Sequence, residues 1–280
     1  MLLRELLDDI DEKKTTGPLD VEVSGLAYDS RAVVGGDAFF CIRGLVTDGH
    51  LYAARAAARG AVVVFVEREL EEELPAGVAL VEVPDTRYAM ARLSSAYYGQ
   101  PSREMRLVGV TGTNGKTTTA FLVESILKEE GGVTGLIGTV ENHIGDAVEE
   151  VTRTTPESLD LQRLLRRMAD AAVDTVVMEV SSHALELHRA SGCEFDVVAF
   201  TNLTQDHLDF HISLEDYFGA KRRLFEGEEF GPERVAAINI DDPFGRRLLE
   251  ETSLRSISFG LEPGADVCAG EVEVLPEGNR

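Results

Sequence analysis

The stretch Arg106-Leu107-Val108-Gly109-Val110-Thr111-Gly112-Thr113-Asn114-Gly115-Lys116-Thr117-Thr118 decides how this chain folds. Residues 106–110 are apolar enough for a buried strand, and the pattern after Lys116 continues as a helix to about residue 130. Between them lies a glycine-containing loop that ends at a helix N-terminus. Such a loop binds phosphate because successive backbone N–H groups point at the anion, and glycine lets the chain approach without a Cβ clash. Gly112, Thr113, Asn114 and Gly115 would form the cradle and Thr118 would complete it. Lys116 supplies a point charge and Thr117 a hydroxyl for a divalent cation. Val110 or Thr111 stands where the standard pattern has its first glycine, so this is a shorter variant. The competing reading is an ordinary glycine turn between strand and helix, and the run Gly115-Lys116-Thr117-Thr118 weighs against it.

Strand–helix units continue downstream. Residues 133–137, 175–180, 195–200 and 234–240 read as apolar strands. Leu122/Ile126 and Val123/Leu127 give the helix after the loop an apolar face at four-residue spacing, and Leu161, Leu164, Leu165 and Met168 mark one face of another. A further helix is expected over residues 213–225. Alternation of this kind implies a parallel sheet covered on both faces. Upstream, residues 1–10 read as an amphipathic helix in which Leu2, Leu3, Leu6, Leu7 and Ile10 alternate with Glu5, Asp8 and Asp9. Residues 53–58 form an alanine-rich helix, 61–66 and 79–83 buried strands, and Pro84-Asp85 opens a helix to about Tyr98. Gly99-Gln100-Pro101-Ser102 breaks it. The expected fold is α/β: a small N-terminal mixed α/β domain over residues 1–100, then a P-loop-type, mainly parallel α/β domain over 101–280.

Composition narrows the function classes. Lys and Arg total 27 against 50 Asp and Glu, a formal net charge of −23, and no basic run offers the footprint of a nucleic-acid binder. The acidity reads as a solubility or salt adaptation. Cys41, Cys193 and Cys268 are far apart and form no CxxC pair, which argues against a thiolate metal site and a disulfide scaffold. The acidic first ten residues are unlike a signal peptide, and no apolar run approaches membrane-spanning length. A cytoplasmic monomer without membrane association is the expectation.

Ligands of open parallel sheets collect beyond the carboxyl ends of the strands, so residues at those ends carry information. Glu179 lies inside an apolar strand, followed by Ser181-Ser182-His183. A carboxylate there is costly unless paired or bound to a cation, and Mg²⁺ would satisfy it; capping of the next helix is the alternative. His207 and His211 are four apart, as in a helical zinc pair, but the HExxH glutamate is missing. Phe218, Lys221 and Phe225 share one helical stripe, which Arg222 and Arg223 do not. Lys221 is either a buried amine with a lowered pKa, nucleophilic enough for CO₂, or a lysine that snorkels to water, and spacing alone favours the second.

Together these residues resemble the Mur ligase family, specifically its members that add the third amino acid to UDP-N-acetylmuramoyl-L-alanyl-D-glutamate. The matching stretches are Asp29-Ser30-Arg31, Gly36-Asp37, Asp48-Gly49, the loop from Thr111 to Thr118, Thr154-Thr155-Pro156, Met178-Glu179-Val180-Ser181-Ser182-His183, the stretch from Phe200 to His211, and Lys221. They cover almost the whole chain in order. The resemblance implies a UDP-binding N-terminal domain and an ATPase domain with ATP and Mg²⁺ as cofactors. Lys116 would hold the ATP phosphates. Thr117, Glu179 and His207 would bind magnesium, and Lys221 would be carbamylated and help place one ion, which reverses the reading from spacing. Ser30 and the backbone near Tyr28 and residues 45–47 would contact the uridine nucleotide. Thr154, Thr155, Ser181 and Arg189 would line the path to the muramoyl dipeptide, and Leu187 stands where some relatives have a glutamine that helps there. The implied reaction passes through an acyl phosphate, and diaminopimelate or L-lysine is the amino acid added.

The family has a third domain that closes over ATP and selects the amino acid, and this chain ends at Arg280 with residues 267–275 reading as a late central-domain strand. The C-terminal domain is therefore expected to be absent, and the chain alone to bind ligands but turn over poorly; ligase activity from the 280 residues would contradict that. The rivals are a sister Mur-type or folylpolyglutamate synthetase-like ligase, a non-catalytic nucleotide-binding module, and a zinc hydrolase using His207 and His211.

Overall fold

The computed structural model describes the chain apart from Leu45, Thr152, Pro232, Glu262, Arg280 and residues 207–209, 227–229, 271–273 and 276–277. It divides into two compact units. The first comprises Met1–Pro101, Pro156–Arg166 and Leu187–Gly192, and the second Ser102–Thr155, Arg167–Glu186 and Cys193–Arg280.

In the first unit, strands β1 (Lys14–Thr16), β2 (Gly25–Ala27), β3 (Asp37–Phe40), β4 (Val63–Val66) and β5 (Ala79–Glu82) form one sheet in the order β1-β5-β4-β3-β2. All neighbours are parallel except β1 and β5. Side chains alternate across a strand, so Phe40 and Phe65 stack at 4.5 Å in one core with Leu3, Leu6 and Leu93, while Phe39 and Val64 enter the other with Ala53 and Ala56. The expected N-terminal helix is shorter than its pattern: α1 (Leu3–Leu6) passes into a 3₁₀ turn at Leu7–Asp9. Leu2 is extended and bridges Glu22, so the helix starts after it, yet Leu3, Leu6, Leu7 and Ile10 are still buried. Helix α2 (Ala53–Ala58) follows, and α3 (Thr86–Tyr97) is capped by Asp85, whose carboxylate accepts from the N–H groups of Arg87 and Tyr88.

The second unit is built on strands β6 (Arg106–Thr111), β7 (Thr134–Ile137), β8 (Glu141–Ile144), β9 (Ala147–Glu150), β10 (Thr175–Glu179), β11 (Val197–Phe200), β12 (Val235–Asn239), β13 (Arg255–Gly260) and β14 (Val267–Cys268). Their order is β14-β13-β12-β11-β6-β10-β7-β8-β9, parallel from β14 to β7 and antiparallel through β7-β8-β9. Its helices are α4 (Lys116–Glu129), α6 (Ser182–Glu186), α7 (Leu214–Arg222) and α8 (Pro243–Glu251), while α5 (Ser158–Asp170) belongs to the first unit up to Arg166 and to the second from Arg167. β6 lies between β10 and β11, and β10 is buried along its whole length.

Two further expectations are corrected. Of the two apolar pairs on α4, Val123 and Leu127 pack on Val110, Leu136 and Val177, whereas Leu122 and Ile126 are exposed. Residues 267–275 do not form one strand. Among the described residues of that stretch Val267–Cys268 joins the sheet, and the strand Val274–Leu275 pairs instead with Gly278–Asn279. A glycine inside a strand weakens it, and Gly270 sits at that break.

Candidate functional site

The carboxyl ends of β6, β7, β10 and β11 surround the glycine loop. Gly115 caps α4 with φ 83° and Gly112 has φ 146°, both in the region that favours glycine. A Cβ at Gly112 would also collide with Thr201 Oγ1. The loop is clamped from β11's end: Asn202 O accepts from Thr113 N at 2.8 Å, and Asn202 Oδ1 from Asn114 N at 2.9 Å. Asn202 Nδ2 and Thr201 Oγ1 both donate to Asn114 O, at 3.0 and 2.7 Å. No spacing pattern singles out Thr201 or Asn202; their signal is their place directly after the β11 strand.

Lys116 Nζ donates to Gly112 O and Thr113 O, both at 2.9 Å, and Lys221 Nζ donates to the same Gly112 O at 2.8 Å. Lys221 is 1 % exposed and lies 4.5 Å from the centre of the Tyr217 ring, so it does not snorkel. Burial, with the nearby Lys116 charge, pushes its amine well below the ordinary lysine range, against the pull of Asp206. Burial also lowers Lys116, opposed by Glu179 and Asp206.

Glu179 is 1 % exposed. Its Oε2 accepts from Thr117 Oγ1 at 2.9 Å and from Thr139 Oγ1 at 3.2 Å, and its Oε1 from Thr139 N at 2.8 Å. It does not cap α6; Ser181 does, its Oγ accepting from Ala184 N at 3.1 Å. Thr155 Oγ1 donates to Glu179 O at 2.9 Å and accepts from Ser181 N at 3.3 Å, while the hydroxyls of Thr154 and Thr139 are 3.1 Å apart. Thr118 is exposed on the first turn of α4.

This geometry has known counterparts. A family model described as "Mur ligase middle domain" matches residues 110–280, and one described as "Mur ligase family, catalytic domain" matches residues 22–98. The chain belongs to the Mur ligase family. It is 44% identical over 279 residues to the UDP-N-acetylmuramoyl-L-alanyl-D-glutamate–2,6-diaminopimelate ligase of Syntrophomonas wolfei, covering 100% of this chain and 57% of that protein. To the ligase of the same name from Bacillus licheniformis it is 45% identical over 266 residues, covering 94% and 54%. A solved structure of a ligase of that name superposes with a TM-score of 0.85 at 27% identity, covering 100% of this chain and 56% of that one. The chain thus spans a little over half the length of the curated relatives it matches.

In this Mur ligase chain, Lys116, Thr117, Glu179 and Lys221 share one end of the central sheet with Thr154, Thr155 and Ser181. Tyr28, Ser30 and Arg189 belong to the first unit. There Tyr28 donates to Asp160 Oδ2 at 2.6 Å, Ser30 is buried, and Arg189 pairs with Glu157 at 3.1 Å. Glu157 also accepts from Arg87 Nη1 at 2.8 Å, a contact the sequence did not signal. His207 and Leu45 lie outside the described residues. His211 is buried, with Nε2 2.9 Å from Ser182 Oγ and Nδ1 3.5 Å from Asp216, and burial lowers its pKa against the pull of Asp216. Among the described residues, no group of three His, Cys, Asp or Glu side chains is arranged to hold a metal.

Proposed function

We propose that this chain is the nucleotide- and acceptor-binding part of an ATP-dependent, ADP-forming ligase of peptidoglycan precursor synthesis, which adds diaminopimelate to UDP-N-acetylmuramoyl-L-alanyl-D-glutamate. One observation carries the reading: a fully buried carboxylate, Glu179, faces the phosphate loop with only neutral donors on its oxygens. A buried charge without a counter-ion is costly, and a divalent cation beside a nucleotide would satisfy it. The relatives' names supply the substrates.

Thr117 and Glu179 would hold Mg²⁺, with His207 and a carbamylated Lys221 as further candidates. Magnesium would neutralise charge on the transferred phosphoryl group and bring two anionic reactants together. The loop N–H groups and Lys116 bind and orient the triphosphate, for which Lys116 turns from Gly112 O and Thr113 O. Thr154, Thr155, Ser181 and Arg189 position the acceptor, and Tyr28, Ser30 and the backbone of residues 45–47 its uridine end. An acceptor carboxylate oxygen bonds to the γ-phosphorus as the bond to ADP breaks. The incoming amine then attacks the acyl carbon, phosphate leaves with its oxygen, and the amide loses a proton. Lys221, its amine held well below the ordinary lysine range, is suited to add CO₂ through its nitrogen, releasing a proton and placing an anion where two lysine amines now share one carbonyl.

Calorimetric titration of the 280-residue chain tests this. Mg²⁺–ADP and UDP-N-acetylmuramoyl-L-alanyl-D-glutamate are each expected to bind, and Lys116→Ala to weaken nucleotide at least about tenfold while leaving the acceptor unchanged. Nucleotide binding without acceptor binding would mark a generic nucleotide module. Zinc in the purified protein, found by elemental analysis, would favour hydrolase chemistry at His207 and His211.

A further inference from the structure

We propose that Thr139 is a positioning residue that ties the metal-facing carboxylate of Glu179 to the acceptor-facing hydroxyl of Thr154; this rests on the reading of the site above. Thr139 follows Gly138 directly after β7, and it is the only residue that contacts Glu179 twice among the described residues, through its N–H at 2.8 Å and its hydroxyl at 3.2 Å. The same hydroxyl is 3.1 Å from Thr154 Oγ1. An ionised carboxylate only accepts, so the Thr139 proton goes to Glu179 and Thr154 donates to the Thr139 oxygen. The result is a directed chain, Thr154 to Thr139 to Glu179. A parallel strand of contacts runs through Thr155, whose hydroxyl donates to the Glu179 carbonyl and accepts from Ser181 N.

Gly138 eases the approach. A Cβ there would stand 2.7 Å from Glu179 Oε1, so a larger residue would push that oxygen away from the next peptide N–H. Thr117 is the third donor to Glu179, and its hydroxyl keeps its lone pairs for a cation while its proton stays hydrogen-bonded to the carboxylate. The two bonds from Thr139, one to each carboxylate oxygen, fix its orientation. Partners of this kind tune a metal ligand's affinity without touching the metal. Thr139 is itself exposed, so its hydroxyl is not required to fill a core.

The test compares the wild-type chain with Thr139→Val, which keeps the shape and the N–H but loses the hydroxyl, and Thr139→Ser, which restores it. Three affinities are measured: Mn²⁺ in the presence of ADP by paramagnetic resonance, ADP alone in chelator, and UDP-N-acetylmuramoyl-L-alanyl-D-glutamate by calorimetry. Thr139→Val is expected to weaken Mn²⁺ about tenfold and the acceptor about fivefold, leave metal-free ADP and Tm unchanged, and be reversed in Thr139→Ser. Unchanged Mn²⁺ affinity in Thr139→Val, failure of Ser to rescue, or an equal loss of metal-free ADP binding overturns the proposal while the reading of the site stands. A wild-type chain that binds neither Mn²⁺–ADP nor the acceptor overturns both.

Discussion

Two carboxylates are buried among the described residues of the second unit, Glu124 on α4 at 3 % exposure and Glu179 at the end of β10 at 1 %. Their surroundings differ in kind. Glu124 meets Lys128 Nζ at 2.9 Å, His143 Nδ1 at 2.8 and 2.9 Å, and Thr134 Oγ1 at 3.2 Å, while His143 Nε2 reaches Glu141 at 3.0 Å on its other side. Glu179 meets two threonine hydroxyls and one peptide N–H, and among the described residues no cationic side chain forms an ion pair with it. Burial of a charge is costly unless it is paired, so Glu124 completes a structural cluster between α4 and β8 while Glu179 feels the Lys116 charge only at longer range, with no ion pair in contact among the described residues. Burial alone therefore does not mark a site; the chemistry of the donors does.

The largest effect expected from breaking that contrast is on stability at Glu124. Glu124→Ala leaves His143 facing a cavity and costs about 3 kcal/mol in urea unfolding, the scale for removing one partner of a buried pair. Mg²⁺–ADP affinity should stay within twofold of wild type, about what an untouched site would show. A stability loss below about 1 kcal/mol, or a parallel loss of nucleotide binding, would erase the distinction between the two carboxylates.

Glu179→Gln should do the reverse. It removes a charge whose present donors are neutral, so unfolding stability is expected to change by less than about 1 kcal/mol. The increment in ADP affinity that Mg²⁺ provides should fall on the order of 100-fold, since the variant has lost an anionic oxygen ligand. Titrations of ADP with and without Mg²⁺ read this directly, and an intact Mg²⁺ increment would remove Glu179 from the site.

The phosphate loop was legible because its function lies in the backbone, and backbone needs are written in glycines next to a lysine. Glu179 was legible because a carboxylate interrupting an apolar strand requires a physical reason. Thr139 was not, since an exposed threonine in a turn has no spacing signature and its meaning depends on a carboxylate forty residues away. The Asn202 clamp on Asn114 spans a separation of 88 residues and is invisible for the same reason. On α4, four-residue spacing marked two apolar pairs, but a helix lying on one sheet buries one stripe. Contact with β6, β7 and β10 selected Val123 and Leu127 and left Leu122 and Ile126 in water. Lys221 shows the opposite failure: spacing placed it on the apolar stripe, but a lysine stem long enough to escape made snorkelling the simpler expectation from spacing alone, which the family resemblance reversed and the burial of the side chain bears out.

The smallest effect concerns acid. Burial alone would raise the Glu124 carboxyl, but the bonds from Lys128 and His143 outweigh it and hold the group below its ordinary 4.5. A carboxyl with a depressed folded-state pKa contributes stability that is fully present above the unfolded value and is lost as pH falls through the folded value. The contribution from Glu124 should thus be constant from neutrality down to about pH 4.5 and decline below it. Glu124→Gln, which keeps the shape, removes this proton uptake. Its unfolding free energy should lie below wild type at neutral pH, and the two curves should converge as the buffer is taken below pH 4.5. Lys128, His143 and Glu141 are the charged neighbours of the cluster and remain in both proteins, so the difference between the curves reports Glu124 together with its coupling to them. Parallel curves across that range would mean that the bonds to Lys128 and His143 do not hold the carboxyl down, and that Glu124 is no better paired than Glu179.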